Sequence, residues 1–256
     1  MKENTNIAEQ QKHPTDKAIP FDAFVTPTLN TFYNDDCMNW LTKCPPDFFE
    51  LAIVDPPYGL GKDGGSMGFC GGMKRNGTTP LSLRGSKYKK KNWDSNTPNK
   101  KYFDELFRVS KNQIIWGVNY YKGIDLTGGR IFWDKDNGNS NFSDGELAYQ
   151  SFTNTIRKFK WRWHGFFQEE MSLDKREIKI HPTQKPVGLY KLILNKYAKA
   201  GDKILDTHAG SASCLVACKE MGFDYVGFEI DKEYWTIANE RLGRAYYQPE
   251  LFERSG

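Results

Sequence analysis

The sequence predicts an α/β fold built on an open sheet. Short apolar runs, typical of strands that are covered on both faces, recur along the chain. Segments with helical periodicity lie between these runs. Because strands and helices alternate in this way, an open α/β sheet is the expected architecture.

Five strands are expected, each from one apolar run. They lie at Leu51–Val54, Gln113–Trp116, Arg130–Trp133, Lys203–Leu205 and Tyr225–Phe228. Most of these runs are followed by a charged residue or a glycine, which marks where the strand stops.

Four helices are expected between and after these strands. Residues 102–107 and 187–197 each place apolar side chains on one helical face. A third helix should begin near Ser213 and stop at Gly222, since glycine favours the left-handed turn that ends helices. Asp231 should cap a fourth helix.

Composition narrows the function classes. The 256 residues suffice for one large domain or two small ones, and no apolar run approaches the ~18–20 residues of a membrane span. The N-terminal residues contain no apolar segment typical of a secretory signal. Five cysteines without a Cys-x-x-Cys pair disfavour a disulfide scaffold and a structural zinc site. We therefore expect a cytoplasmic protein without a metal site or membrane contact.

Residues 59–92 differ in composition from the rest of the chain. They hold nine of the 23 glycines and eight basic residues against one acidic residue, Asp63. Two interpretations stay open, a basic lid that binds a polyanion or a solvated surface loop. Residues 1–20 are interpreted as a flexible arm, 21–245 as the domain and 246–256 as a tail.

The first motif is Asp55-Pro56-Pro57-Tyr58, directly after the first predicted strand. Two prolines fix the backbone and remove two N–H donors, so the turn is rigid and its carbonyls stay available as acceptors. Asp55 and the Pro56 carbonyl can each accept one N–H of a planar exocyclic amine, while Tyr58 stacks on the ring. The alternative is a structural turn with a packed tyrosine.

The second motif follows the strand at Lys203–Leu205. A loop of small residues leads from this strand into a helix, and such loops let a ligand approach the positive helix end. About 20 residues later the next strand ends at Glu229, where a carboxylate can bind two ribose hydroxyls. An ordinary strand–turn–helix connection is the alternative. The candidate binding residues of the loop are Asp206, His208, Gly210, Ser211 and Ser213.

The third motif, His181-Pro-Thr183-Gln-Lys185-Pro186, opens the helix over 187–197. Pro186 sits where the first helical turn tolerates proline. Lys185 would project towards the crevice of the other two motifs and could hold a ligand carboxylate there. Taken alone, the motif indicates no more than a helix start.

Together the three motifs resemble those of the amino-group DNA methyltransferases that use S-adenosylmethionine. The order of catalytic motif, target-recognition region and cofactor motifs is that of the family's β class, and the resemblance covers roughly residues 30–243. The segment Asn34-Asp35-Asp36-Cys37 is similar to the one that reaches the cofactor's adenine in that family. Residues 116–120 and 133–135 are similar to its later strand-end motifs.

The resemblance implies a fold, a reaction and a set of residue roles. The fold would be a Rossmann-like, seven-stranded, mostly parallel sheet with helices on both faces. The reaction would move a methyl group from S-adenosylmethionine to the exocyclic amine of a base flipped out of double-stranded DNA. Adenine N6 is favoured, because Asp-Pro-Pro-Tyr mostly accompanies adenine in the family. The catalytic residues would be Asp55, Pro56, Pro57 and Tyr58. The cofactor-binding residues would be Asp36, Cys37, Thr183, Lys185, Asp206, His208, Gly210, Ser211, Ser213 and Glu229.

The chain departs from the family in the cofactor loop, which usually reads Asp-Pro-Phe-x-Gly-x-Gly. Thr207, His208 and Ala212 replace the proline, the phenylalanine and the last glycine. Ala212 has less backbone freedom than glycine. A degenerate relative that holds nucleic acid without turnover therefore stays open, as does a cytosine N4 methyltransferase.

Two further segments are candidate partner sites. Residues 134–180, the expected target-recognition region, contain Arg157–His164, where basic and aromatic residues alternate. A nucleic-acid-binding face and a plain amphipathic edge strand explain that alternation equally well. In the tail, Gln248-Pro-Glu-Leu251-Phe252 is similar to peptides that dock on the bacterial sliding clamp, and the alternative is that Leu251 and Phe252 pack on this protein's own core.

Overall fold

A computed structural model describes residues 24–61, 91–138, 143–164, 167–169 and 176–247. The predicted arm, most of the basic segment at 59–92 and the clamp-like motif at 248–252 lie outside these residues. What the sequence predicts for those three segments stays a prediction.

One mixed sheet forms the centre of the described structure. Its strands are β1 (Thr31–Tyr33), β2 (Phe49–Val54), β3 (Ser110–Trp116), β4 (Gly129–Asp134), β5 (Gly145–Gln150), β6 (Ile156–Lys160), β9 (Lys203–Asp206) and β10 (Asp224–Phe228). A separate antiparallel ribbon consists of β7 (Trp163–His164) and β8 (Phe167–Gln168). The helices are α1 (Met38–Leu41), α2 (Lys100–Val109), α3 (Val187–Tyr197), α4 (Ser213–Met221) and α5 (Lys232–Arg244).

The strands follow the order β1-β10-β9-β2-β3-β5-β4-β6. Only β5 runs against its two neighbours, and the other described pairs are parallel. The expectation of a mostly parallel α/β sheet is confirmed. The expected strand number was seven, whereas the described sheet has eight, because β6 continues the sheet beyond β4. The β6 sequence has no apolar run, and a strand here was expected only as one of the two interpretations of Arg157–His164.

All five predicted strands and all four predicted helices are present. The Asp231 side chain accepts hydrogen bonds from the backbone N–H groups of Glu233 and Tyr234, so it caps α5 as expected. Gly222 ends α4 with a φ of 76°. None of the helices in the described part of the chain has the length and apolar character that a bilayer crossing requires.

The sheet separates two apolar layers. Successive side chains of a strand point to opposite faces. Leu51 and Ile53 of β2 therefore pack on the side of α3, α4 and α5, while Ala52 and Val54 pack on the side of α1 and α2. Burial on both faces explains the near-continuous apolar sequence of β2.

The position of the site follows from the strand order. Strands β2 and β9 are parallel neighbours at the centre of the sheet. From β2 the chain continues to β3 on one side, and from β9 it continues to β10 on the other. The loops at the carboxyl ends of β2 and β9 therefore run in opposite directions and leave a crevice between them. Ligands of open α/β sheets bind in such a crevice.

Candidate active site

A cavity of ≈370 Å³ lies at the carboxyl ends of β2, β9 and β10. Three of the predicted residues are absent from its wall, namely Pro56, Tyr58 and Asp206. The predicted residues that line it are Asp36, Cys37, Asp55, Pro57, Thr183, Lys185, His208, Gly210, Ser211, Ser213 and Glu229. The fold thus brings the three sequence motifs to one cavity.

Asp55 follows β2 directly, and both of its carboxylate oxygens are hydrogen-bonded. The Tyr58 hydroxyl donates to Oδ1 at 2.5 Å, and the Lys185 ammonium donates to Oδ2 at 2.5 Å. Burial raises the pKa of Asp55, and the positive charge of Lys185 opposes this rise. The carboxylate at this turn is thus held in place by two donors before any ligand arrives.

The Pro56 carbonyl is already in use as an acceptor. The hydroxyl of Tyr121, from the segment after β3, donates to it at 2.9 Å in a buried position. The expectation that this carbonyl stays free was wrong, because a side chain 65 residues away in the sequence reaches it. One of its two lone pairs remains for a ligand.

Tyr58 is half-buried beside the cavity and is absent from its wall. Its ring stacks on Tyr120 with centroids 4.8 Å apart and an interplanar angle of 17°. Its backbone N–H and that of Gly59 donate to Asp94 Oδ1 at 2.7 and 2.9 Å. The predicted stacking platform is thus covered on one face by the protein's own aromatic ring.

Lys185 lines the cavity and contacts two carboxylates of the protein. Its ammonium lies between Asp55 Oδ2 and Glu146 Oε2, which is 3.0 Å away, and its side chain is 3% exposed. That it also holds a ligand carboxylate stays a prediction, since an ammonium has a third N–H to donate. Glu146 is a site residue that sequence reasoning missed, since it lies within β5 and belongs to none of the three motifs.

The ionisation of Glu146 follows from its two cations. Its second oxygen, Oε1, accepts from the Lys135 ammonium at 2.6 Å. Burial opposes the charge, but Lys185 and Lys135 together lower the pKa of Glu146 to about 2. Glu146 is therefore an anion at neutral pH.

Glu229 lies on the opposite side of the cavity, at the end of β10. Its two oxygens accept from the backbone N–H groups of Gly210, at 3.0 Å, and Asp231, at 2.8 Å. Burial raises the pKa of Glu229 to about 7 in spite of these hydrogen bonds. The carboxylate thus links the loop after β9 to the end of β10. That it binds ribose hydroxyls stays a prediction.

The loop between β9 and α4 turns through two left-handed residues. Gly210 has a φ of 52° and Ala212 a φ of 57°. The left-handed region costs a non-glycine residue about 1–2 kcal/mol, so the alanine at this position is strained. The hydroxyls of Ser211 and Ser213 lie 3.0 Å apart, and Arg241 of α5 donates to Ser213 Oγ at 2.9 Å.

Asp206 is buried and His208 is half-buried at the start of this loop. Asp206 accepts from the His208 backbone N–H at 3.2 Å, and burial raises its pKa to about 8. Burial lowers the pKa of His208 to about 4, so its ring is neutral at neutral pH. The ring hydrogen-bonds Thr207 through Nδ1 at 2.9 Å and meets Tyr102 edge-on. No three His, Cys, Asp or Glu side chains of the described residues form a metal-binding group.

The remaining predicted residues line the far part of the cavity. Asp36 follows β1 and accepts the backbone N–H of Met38 at 2.9 Å. Burial raises the pKa of Cys37 to about 12, so it stays a thiol. The Thr183 hydroxyl lies 3.1 Å from Nδ1 of His181. All three occupy positions at which they could contact a bound ligand.

One wall of the cavity was missed by the sequence analysis. Trp93 and residues 96–99 form it, and we call the segment 91–99 the strap. The Trp93 ring lies 5.2 Å from the ring of His181. The Lys91 ammonium pairs with Asp231 Oδ2 at 2.9 Å and Glu233 Oε2 at 2.8 Å. The strap therefore joins the end of the basic segment to the start of α5.

The chain is similar in sequence to known DNA methyltransferases. The sequence profile of a family described as DNA methylase matches residues 130–240. The type II methyltransferase M2.DpnII of Streptococcus pneumoniae is 26% identical in an alignment that covers 82% of this chain and 88% of that protein. The type II methyltransferase M.HpaI of Haemophilus parainfluenzae is also 26% identical, over 75% of this chain and 68% of its own length.

Over residues 130–240 the chain is thus similar to the DNA methylase family. A solved structure, that of the M1.HpyAVI–SAM complex, has a TM-score of 0.50 and 19% identity. It covers 82% of this chain and 98% of its own, which supports the Rossmann-like fold. The profile match begins after the Asp55 turn, so the role of that turn depends on the geometry above.

The edge strand β6 bears on both interpretations of Arg157–His164. It is the outermost strand of the described sheet, beside β4, and an edge position is compatible with a nucleic-acid face and with an amphipathic edge strand. Lys158 pairs with Asp134 at 2.8 Å and Lys160 with Asp136 at 3.0 Å. Arg162 also pairs with Asp136. Acidic residues at the end of β4 thus neutralise much of the positive charge that suggested a nucleic-acid face.

Proposed function

We propose that the protein transfers a methyl group from S-adenosylmethionine to the exocyclic amine of a base in double-stranded DNA, with adenine N6 as the target. The observation that carries this proposal is the shared cavity. Asp55 and Glu229 lie on its two sides although they come from distant parts of the chain. One side offers an acceptor for an amine, and the other offers a carboxylate and a helix start for a nucleoside.

The residues of the cavity fit S-adenosylmethionine. Glu229 would hold the two ribose hydroxyls, and Asp36 with Cys37 would lie at the adenine. The loop from Gly210 to Ser213 precedes the start of α4, where the positive end of a nine-residue helix favours a carboxylate. When bound, S-adenosylmethionine supplies an already activated methyl group.

The chain's own part in the reaction is to hold the amine. Asp55 accepts one N–H, and the free lone pair of the Pro56 carbonyl accepts the other. These two hydrogen bonds would fix the direction of the nitrogen, and orientation of this kind contributes strongly to rate. A base inside a duplex cannot reach the cavity, so it must be flipped out. Tyr58 and Tyr120 supply aromatic surface beside Asp55 that can compensate part of the lost stacking.

Modified-base sequencing tests the reaction and the target together. DNA from a methylation-free host that expresses the wild type should carry N6-methyladenine at one recognition sequence, and DNA from an Asp55→Ala host should carry none. Methylation at cytosine N4 would change the target but keep the reaction. DNA without new methylation, together with calorimetric binding of S-adenosylmethionine and DNA, would instead indicate a non-catalytic relative.

Two narrower parts of the proposal concern the protein's surroundings. We infer a cytoplasmic, nucleoid-associated protein, as expected of an enzyme that acts on chromosomal DNA.

Docking of Gln248–Phe252 on the sliding clamp also stays a proposal. Replacement of Leu251 and Phe252 by alanine should abolish a clamp pull-down without a change in melting temperature. If the two side chains pack on this protein's own core, the melting temperature should fall instead.

A further inference from the structure

Charged side chains behind Asp55 form a row of alternating sign. Lys135 contacts Glu146 at 2.6 Å, Glu146 contacts Lys185 at 3.0 Å, and Lys185 contacts Asp55 at 2.5 Å. The row joins the end of β4, the start of β5, the loop before α3 and the turn after β2. Two carboxylates therefore share one ammonium group, that of Lys185.

The surroundings hold this ammonium in place. It lies 5.1 Å from the ring centroid of Trp116 and 5.7 Å from that of Tyr58. Its side chain is 3% exposed, so little solvent screens its charge. A buried lysine needs paired anions to remain charged. The position of Lys185 is thus set by Asp55 and Glu146 together.

Other ionisable groups face Asp55 from its own turn and from the neighbouring elements. On α2 and α3, the charge of Asp55 helps to raise the pKa of the Tyr102 and Tyr190 hydroxyls. The Tyr58 hydroxyl from its own turn donates to Oδ1. Tyr121, from the segment after β3, carries a hydroxyl that is bound to the Pro56 carbonyl. Asp206 at the end of β9 is a further acid, and the charge of Asp55 helps to raise its pKa. Among the described groups, Lys185 is the cation in contact with Asp55.

We propose that Lys185 and Glu146 are positioning residues that set the ionisation of Asp55. Lys185 keeps the carboxylate charged, and Glu146 weakens that effect because it competes for the same ammonium. Glu146 thereby tunes how strongly Asp55 accepts an N–H. The inference rests on the proposed function, in which Asp55 must be ionised to accept the target amine.

The two residues should act in opposite directions. Without Lys185, Asp55 and Glu146 would face each other with no cation between them, and one would take up a proton at a higher pH. Without the charge of Glu146, Asp55 would keep the whole ammonium and lose a repelling neighbour, so it would ionise at a lower pH. A purely structural role of either residue predicts no such opposition.

The pH profile of kcat/KM for methyl transfer to duplex DNA is the first test. Lys185→Met should move the acidic limb upwards by about 1–3 pH units, and Glu146→Gln should move it downwards by up to about 1. Lys185→Arg, which keeps the charge, should keep the limb near its wild-type position. The proposal would be overturned if the acidic limb of the pH profile stayed at its wild-type pH in both variants. It would also be overturned if the limb moved in the same direction in Lys185→Met and Glu146→Gln.

Glu50→Gln is the matched control. Glu50 also bridges two lysines, Lys111 at 3.1 Å and Lys203 at 3.4 Å, and it lies on β2, the strand that leads to Asp55. Five residues of extended chain, about 16 Å, separate it from Asp55. Its replacement should leave the limb unchanged. A limb that moves as far in Glu50→Gln as in Glu146→Gln would contradict a local effect.

A second measurement works without DNA or cofactor. The ¹³C signal of the Asp55 carboxyl, assigned by its loss in Asp55→Asn, gives the titration of that group in the free protein. It should show the same opposite displacements in Lys185→Met and Glu146→Gln. If the wild type transfers no methyl group but these displacements occur, the proposed function fails and the charge arrangement stands. If Lys185→Met does not fold, the displacement in Glu146→Gln decides the proposal alone.

Discussion

Gly117 and the ring of Tyr58 are in direct contact. A Cβ placed on Gly117 would stand 2.2 Å from Cε1 of that ring, far inside van der Waals distance. Gly117 follows β3 and has a φ of 75°, which favours glycine on its own account. The position of Tyr58, and with it the hydroxyl that donates to Asp55, therefore requires that residue 117 carry no side chain.

Gly117→Ala should displace Tyr58 and lower activity. Gly123 offers a matched control, since its φ is 74° and a Cβ placed on it would meet no heavy atom within 4 Å. Both alanines should lose about 1–2 kcal/mol of stability from the left-handed backbone. Only Gly117→Ala should also lower kcat, by tenfold or more, which corresponds to about 1.4 kcal/mol. Equal kcat values for the two variants in a methyl-transfer assay would contradict this role of the contact.

Asp55→Ala should abolish methyl transfer and keep the fold. The two prolines still fix the turn, but the acceptor for the amine is gone. The kcat should fall below about a tenth of the wild-type value, a loss of more than ~1.4 kcal/mol. Calorimetry should find S-adenosylmethionine binding retained, because Glu229 is untouched. If Asp55→Ala kept the wild-type kcat, Asp55 would have no role in methyl transfer.

The site residues that could be predicted from the sequence are those that directly follow the end of one strand. Asp55, Asp206 and Glu229 each come directly after an apolar run, so their loops could be placed at one edge of the sheet from sequence alone. Their convergence on one cavity needed only the expectation that the strands are parallel. Local chemistry and strand direction were sufficient for these residues.

The residues that were missed depend on contacts between distant segments. Glu146 meets Lys185, and Tyr121 meets Pro56, 65 residues away in the sequence. Trp93 enters the wall through its contact with His181. None of these three belongs to a motif, and the pairing of strands β3, β5 and β4 that orients Glu146 is not encoded in any local pattern.

Lys91 should contribute little to the salt dependence of DNA binding. Its ammonium already pairs with Asp231 and Glu233, so it has less charge to offer to phosphate. Lys91→Ala should leave the slope of log Kd against log salt near its wild-type value. Lys89→Ala and Lys90→Ala should each flatten it by up to ~0.9 if they meet phosphates. Fluorescence anisotropy with a labelled duplex gives these slopes. If Lys91→Ala flattened the slope as much as Lys89→Ala or Lys90→Ala, Lys91 would contact the DNA after all.

Glu229 should make cofactor affinity depend on pH. Burial raises the pKa of this carboxyl from 4.5 to about 7. The raised value means that folding is most favoured where the group is protonated, and that this contribution to stability is lost as the pH rises from about 4.5 to about 7. Ribose hydroxyls donate to the ionised form. Binding below pH ~7 must therefore release a proton, and the affinity should fall by up to about tenfold for each pH unit below it.

Calorimetry with S-adenosylmethionine across about pH 5.5–8.5 measures this dependence. The Kd should level off above the pKa of Glu229, and Glu229→Gln should bind weakly, with no such slope. Asp206→Asn is the matched control, because Asp206 also has a raised pKa, about 8, but does not line the cavity. That variant should keep the slope below pH ~7, since its cofactor-facing carboxyl is intact. Equal affinities of the wild type at about pH 5.5 and 8.5 would contradict the binding of ribose by Glu229. If Asp206→Asn lost the pH dependence, the titrating group would be Asp206 instead.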